Sequence, residues 1–286
     1  MKASGGPGEQ VVAAGNGSAF HVVWRCCAVL ALAVGLLGGC ALSPARKGNP
    51  SAQTERRDQE FDLDKSIARV EIVNRYGEIN VRGNDEPAVG IHAVIQRMPP
   101  DLAGAELHSR RDGDTLRIEA VFPRAHDRAG RIDLAVYVPS SLAITLTTRD
   151  DRIVARKRQG AVEATTESGE IQASSYTRLD LHSGSGQIRA IAIGRRWAGE
   201  SRVSSESGRI VLLVPTFGDI ALDAQTGGHL STDFGLSVQQ HEGVSSAQAH
   251  YGRGASALVV RSHSGDVVLD QLILTGDDWR GSEDDD

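Results

Sequence analysis

The chain has 286 residues, is 40% hydrophobic and carries a formal net charge of −6. That length and apolar content suffice for a sizeable core, and the acidic balance argues against a nucleic-acid partner. Five Phe, three Trp and four Tyr against 32 Gly tilt the composition toward short strands joined by tight turns and away from a helical protein.

Near the N-terminus, Cys26 to Leu37 forms an apolar run preceded by Arg25 and followed by Gly38, Gly39 and Cys40. The run is too short to span a bilayer as a helix and has the length of a signal-peptide core. Leu37-Gly38-Gly39-Cys40 resembles the bacterial lipobox, in which small residues admit the processing peptidase and the cysteine thiol takes a diacylglycerol. The resemblance implies a lipoprotein signal peptide over residues 1–39 and a membrane-held mature chain beginning at Cys40. Ala41 follows where Asp would favour inner-membrane retention, which implies an outer-membrane lipoprotein facing either the periplasm or the exterior. The stretch before Arg25 is long for such a leader. Translation starting at Val22 or Val23 gives a compact one; a long leader from Met1 is the alternative. Removing Lys2, Arg25 and Glu9 with the leader leaves 29 basic and 36 acidic side chains, a net charge of −7. Cys26 and Cys27 go with the leader, so no disulfide, zinc cluster or thiol nucleophile is expected.

Residues 40–60 are polar, hold two prolines and show no apolar period, which reads as a flexible tether. The body is then expected over 61–274. In it, Val70 and Ile72, Ile79 and Val81, then Val89, Ile91, Ala93 and Ile95 alternate with polar residues; so do Leu116, Ile118 and Ala120, and Ile132, Leu134, Val136 and Val138. A period of two predicts half-buried strands. Only "DLAGAELHSR" carries a weak helical stripe, so helix should be minor. The acidic segment 275–286 reads as a disordered, solvated tail.

The second half repeats a unit, small-x-Ser-Gly-x-Ile, at Thr166–Ile171, Ser183–Ile188, Ser205–Ile210 and Ser262–Val267, with an early copy at Asn74–Ile79. A glycine at each corner predicts a positive φ, and the aliphatic residue two positions later should point into the core. Thr166, Ser183, Ser205 and Ser262 should stack and bond from turn to turn or to backbone groups of the corner. Between Gly227 and Gly265 there is room for two units, with one degenerate turn near Gly243 or Gly252. A period of about 20 residues suits one turn of a stacked β-repeat. The predicted fold is all-β, with stacked strand repeats forming a β-solenoid.

From about Phe61 to Leu274 the chain resembles the bacterial putative-adhesin β-strand-repeat family, a domain of unknown function. The residues that carry the likeness are "VNRYGEINVRG", "DLAVYVPSSLAITLTT" and the Ser-Gly-x-Ile repeats. The resemblance implies a right-handed β-helix-like body and no enzyme activity.

Signals for chemistry are few. "HSGSGQ" lacks the spacing of a nucleophile elbow and is one copy of the corner; His182 and His263 lie beside such corners, so a Ser–His pair is the alternative reading. The eight histidines from His92 to His263 show no ligand spacing, and the acidic position after each glycine varies, unlike a calcium roll, so no metal or other cofactor is expected. Two surface features stand out. Arg152, Arg156, Lys157 and Arg158 form a basic cluster suited to anionic headgroups, against the plainer reading of a solvated corner. In "RIVLLVP", Val211 and Leu213 should face away from Ile210, Leu212 and Val214, covered by "QLILTG" or left open as a partner patch. The leading functional reading is a non-enzymatic, lipid-anchored envelope protein presenting a binding surface to an envelope protein or glycan; the alternatives are a polysaccharide-active β-helix enzyme and an accessory factor in envelope-stress signalling.

Overall fold

A computed structural model describes residues 51–273, except 65, 100–103, 123–129, 216 and 234. Cys40, the leader and the acidic tail lie outside the described residues. Among these there is no helix; 21 strands form two large mixed sheets.

The first strands are β1 (Gln53–Asp62), β2 (Arg69–Asn74), β3 (Ile79–Asn84), β4 (Ala88–Arg97), β5 (Glu106–Asp112), β6 (Thr115–Val121) and β7 (Gly130–Pro139). A regular middle follows with β8 (Ala143–Thr148), β9 (Ile153–Arg158), β10 (Val162–Thr166), β11 (Ile171–Ser175), β12 (Leu179–Ser183), β13 (Ile188–Ala192), β14 (Glu200–Ser205) and β15 (Ile210–Pro215). The chain ends with β16 (Ile220–Thr226), β17 (Leu230–Thr232), β18 (Gln239–His241), β19 (Val244–Tyr251), β20 (Ser256–Ser262) and β21 (Val267–Leu272).

From β8 to β15 the chain alternates between the sheets, even-numbered strands in one (sheet B) and odd-numbered strands in the other (sheet A), and from β10 onward each pairs in parallel with the strand two before it. Alternation therefore sends every second side chain into the space between the sheets. Ile79, Ile153, Ile171, Ile188, Ile210 and Val267 stand in one register column and are completely buried. Each contributes roughly 1.5–3 kcal/mol of burial. All but Ile153, which follows Asp151, are the aliphatic positions two past a repeat glycine, as the sequence predicts. Facing them from sheet B are Ile72, Leu146, Ala164, Leu181, Val203 and Val260, all part of the same core.

The corner geometry differs from the sequence expectation. Gly169, Gly186, Gly208 and Gly265 are absent from the residues with positive φ, unlike Gly77. Their glycine requirement is steric: a Cβ on Gly186 would meet Gly169 O at 1.8 Å, on Gly208 would meet Gly186 O at 2.0 Å, and on Gly265 would meet Gly208 O at 2.1 Å. Backbone stacks on backbone at this edge. The hydroxyl column forms as expected: Thr166, Ser183, Ser205 and Ser262 accept from the amides of Gly169, Gly186, Gly208 and Gly265 at 2.8–2.9 Å, and Ser183 also donates to Gly169 O at 3.3 Å.

Chain order and stacking order part company at both ends. β20 and β21 lie between the β14, β15 pair and the β16, β17 pair, and β2 and β3 lie between the β6, β7 pair and the β8, β9 pair. Between Gly227 and Gly265, where the sequence leaves room for two units with one degenerate turn near Gly243 or Gly252, the chain forms an antiparallel hairpin, β18 and β19, with β19 added to the edge at β16. Within the segment expected to be a tether, residues 53–60 belong to β1, paired antiparallel with β4 along ten residues. Its half-buried side chains are Glu55, Arg57, Gln59 and Phe61, so no apolar stripe announces it; Arg97 holds Glu55 at 2.8 Å instead. Likewise "ELHSRRD", which overlaps the end of the weak helical stripe, is strand β5, an edge strand against β6.

Candidate functional site

Strand β9 reads Ile-Val-Ala-Arg-Lys-Arg, and a bulge decides which of its charges reach solvent. Ala155 pairs with Ala173, and Arg158 pairs with Ser175, so β9 spends one extra residue over that interval. Lys157 takes φ 55°, a left-handed conformation that costs a non-glycine residue on the order of 1 kcal/mol. The result is two consecutive exposed cations, Arg156 and Lys157, on the outer face of sheet A, while Arg158 turns inward. Packing locks the bulge from below, because a Cβ on Gly83 would meet Lys157 O at 1.8 Å.

Arg158 is completely buried. Its Nη1 donates to Val138 O at 2.9 Å and its Nη2 to Leu142 O, and burial lowers its pKa to about 10. It therefore clamps the corner between β7 and β8 and is no surface contact. Arg152 precedes β9 at the opposite end of the strand and pairs with Glu78 at 3.2 Å. Of the basic cluster read from the sequence, only Arg156 and Lys157 share one surface.

The register supplies what spacing alone misses. Arg82 pairs with Arg156 across β3 and β9, Gln172 with Arg189 across β11 and β13, and Arg189 with Val211 across β13 and β15. Ile191 lies beside Leu213. Arg156 reaches Gln172 Oε1 at 3.2 Å. Among the described residues Arg82, Arg156, Lys157 and Arg189 form no ion pair. An open groove of about 720 Å³ runs past Arg156, Lys157, Arg189, Tyr176, Ile191 and Ile193, with Asp85 the carboxylate on its wall. Arg189 and Ile191 were discoverable in the sequence by aligning the repeats on Gly169, Gly186 and Gly208; the bulge was not, since no residue type marks it.

Val211 and Leu213 are half-buried and point outward, opposite the fully buried Ile210, Leu212 and Val214. β21 lies edge to edge with β15, pairing Val211 with Val268 and Leu213 with Asp270; of the segment expected to cover them, Gln271 and Leu272 continue β21 beside Val214 and Pro215, and 274–276 lie outside the described residues. Val211, Leu213, Val268 and Ile191 thus continue the groove as an aliphatic strip on the same face.

Elsewhere the chemistry is structural. His182 Nδ1 lies 3.0 Å from Ser204 Oγ because their strands pair in register, not through the corner serines. Trp197 fills the long connection before β14, its amide donating to Ser256 Oγ at 2.8 Å and its indole to Ala257 O at 3.3 Å. Among the described residues no three His, Cys, Asp or Glu side chains are grouped to hold a metal ion.

No protein-family model matches the chain, and no curated protein matches it. Among solved structures it is similar to a putative cell adhesion protein from Clostridium sporogenes, at 11% identity and a TM-score of 0.47, over 76% of this chain and 100% of that one. It is also similar to a putative adhesin from Bacteroides fragilis, at 8% identity and a TM-score of 0.32, over 76% and 97% of the two chains. A third likeness is to a putative adhesin from Parabacteroides distasonis, at 7% identity and a TM-score of 0.27, over 76% and 97%. With each of these TM-scores below 0.5, the functional reading rests on this chain's own residues.

Proposed function

We propose that the protein is a non-enzymatic binding scaffold of the cell envelope, held by lipid at Cys40, whose two sheets are the broad faces of a β-solenoid. Parallel register over consecutive strands and the stacked corner glycines support the solenoid reading. The observation that carries the binding reading is the outer face of sheet A, where Arg82, Arg156, Lys157 and Arg189 have no acidic partner among the described residues and adjoin the half-buried Ile191, Val211 and Leu213. On sheet B, by contrast, Arg117 is paired with Glu71 at 2.9 Å. Aliphatics beside open cations suit a partner that offers both apolar and anionic groups.

The test is photo-crosslinking in the native host, with the reactive residue placed at Leu213 and, as a control, at the exposed Thr165 on sheet B. A discrete mass-shifted adduct from Leu213 and none from Thr165 is expected. Equal labelling from both positions, or none from Leu213, overturns the reading.

A further inference from the structure

We infer that the groove over the β9 bulge is a docking surface for the phosphate headgroups of an anionic membrane leaflet, so that the body lies with the outer face of sheet A against the bilayer. This rests on the binding-face reading above and names its ligand class.

Three observations on this face converge. First, the charge is concentrated against the trend of the molecule: the chain is net −6, yet four cations with no acidic partner among the described residues lie on one face, on β3, β9 and β13. Asp85 is the one acid lining the groove among the described residues. Second, the bulge places Arg156 and Lys157 side by side on that face, where regular alternation would have turned one of them into the core. Third, the surroundings are those of an interface with lipid. Tyr137 and Tyr176 are 40% and 38% exposed beside the cations, and Ile191, Ile193, Val211 and Leu213 lie half-buried next to them. Amphipathic rings and long basic side chains with apolar stems are the groups that settle at headgroup level. The groove is open along the sheet and not closed over, which fits a planar array of headgroups.

Each Lys or Arg near an anionic leaflet raises partitioning about fivefold at moderate salt, so four raise it on the order of several hundredfold. The test uses the full chain carrying Cys40→Ser, which removes any acyl anchor, in flotation with vesicles of phosphatidylglycerol and phosphatidylethanolamine against neutral phosphatidylcholine vesicles. Preferential binding to the anionic vesicles, lost in 0.5 M salt, is expected. Lys157→Gly keeps the bulge, since glycine takes φ 55° without strain, and should lower anionic partitioning about fivefold; Arg156→Gln, Lys157→Gly and Arg189→Gln together should lower it about a hundredfold. Equal partitioning into anionic and neutral vesicles, or a preference that the triple variant leaves intact, overturns the inference. Anionic binding that emerges only when residues 274–286 are deleted would assign the groove to the chain's own acidic tail and overturn it as well. If Leu213 crosslinks a protein or glycan while vesicles show no preference, the binding face stands and the lipid assignment falls.

Discussion

The carbonyl oxygen of Gly169 lies 1.8 Å from the position a Cβ on Gly186 would take. Contact, not conformation, makes this residue glycine. Asparagine separates the two causes, because it tolerates positive φ but brings a Cβ. Gly186→Asn should cost about 4 kcal/mol or more, since backbone has to move. Gly243→Asn, at φ 81° with open space around it, should cost about 1 kcal/mol. Urea unfolding of the two variants checks the contrast.

Ser183 joins two neighbouring corners through one hydroxyl, accepting from Gly186 N at 2.9 Å and donating to Gly169 O at 3.3 Å. Ser183→Ala should destabilise by about 1 kcal/mol, leaving a half-buried amide without its acceptor. Ser205→Thr should stay within about 1 kcal/mol of the parent, because Thr166 and Thr226 already fill the same column. Equilibrium unfolding measures both.

Arg158 holds the carbonyls of Val138 and Leu142 from a position with no exposure. Arg158→Ala should lower stability by about 3 kcal/mol, from two unpaired carbonyls and the space vacated. Partitioning to anionic vesicles should be unchanged in that variant, since the side chain never reaches the surface. Thermal unfolding and flotation read the two effects separately.

Asp64 is held at a pKa of about 2 by the Ser66 hydroxyl and amide and by Arg111. A depressed carboxyl stabilises the fold above its unfolded pKa, and that contribution fades as pH falls from about 4 to about 2. Asp64→Asn should therefore be less stable than the parent at pH 7, with the gap closing by pH 2. Paired urea titrations at the two pH values show it.

The interior was legible because the repeat couples two requirements a few residues apart. A glycine permits the close corner, and Ile171, Ile188, Ile210 and Val267 then fall inward in register. Spacing identified the corner but misjudged its cause, since positive φ and steric contact select the same residue. β1 escaped notice because an edge strand with Glu55, Arg57 and Gln59 on its half-buried side has no apolar period. Arg158 left the basic cluster for a different reason: one extra residue in β9 reverses the facing of everything after Lys157, and periodicity has no sign for it. The neighbours that complete the face, Arg82 and Arg189, are remote in sequence and adjacent only through parallel pairing.

The position of β20 and β21 between strands made before them bears on how the molecule can be assembled. A ribosome releases β16 and β17 while the places next to β14 and β15 are still vacant, so growth from one terminus to the other cannot finish the stack. Those two vacancies must be kept from the wrong occupant until Leu272 has emerged, which makes the final segment a keystone. A message truncated by some thirty codons would yield a body with two gaps and four open strand edges, each a template for a stray strand.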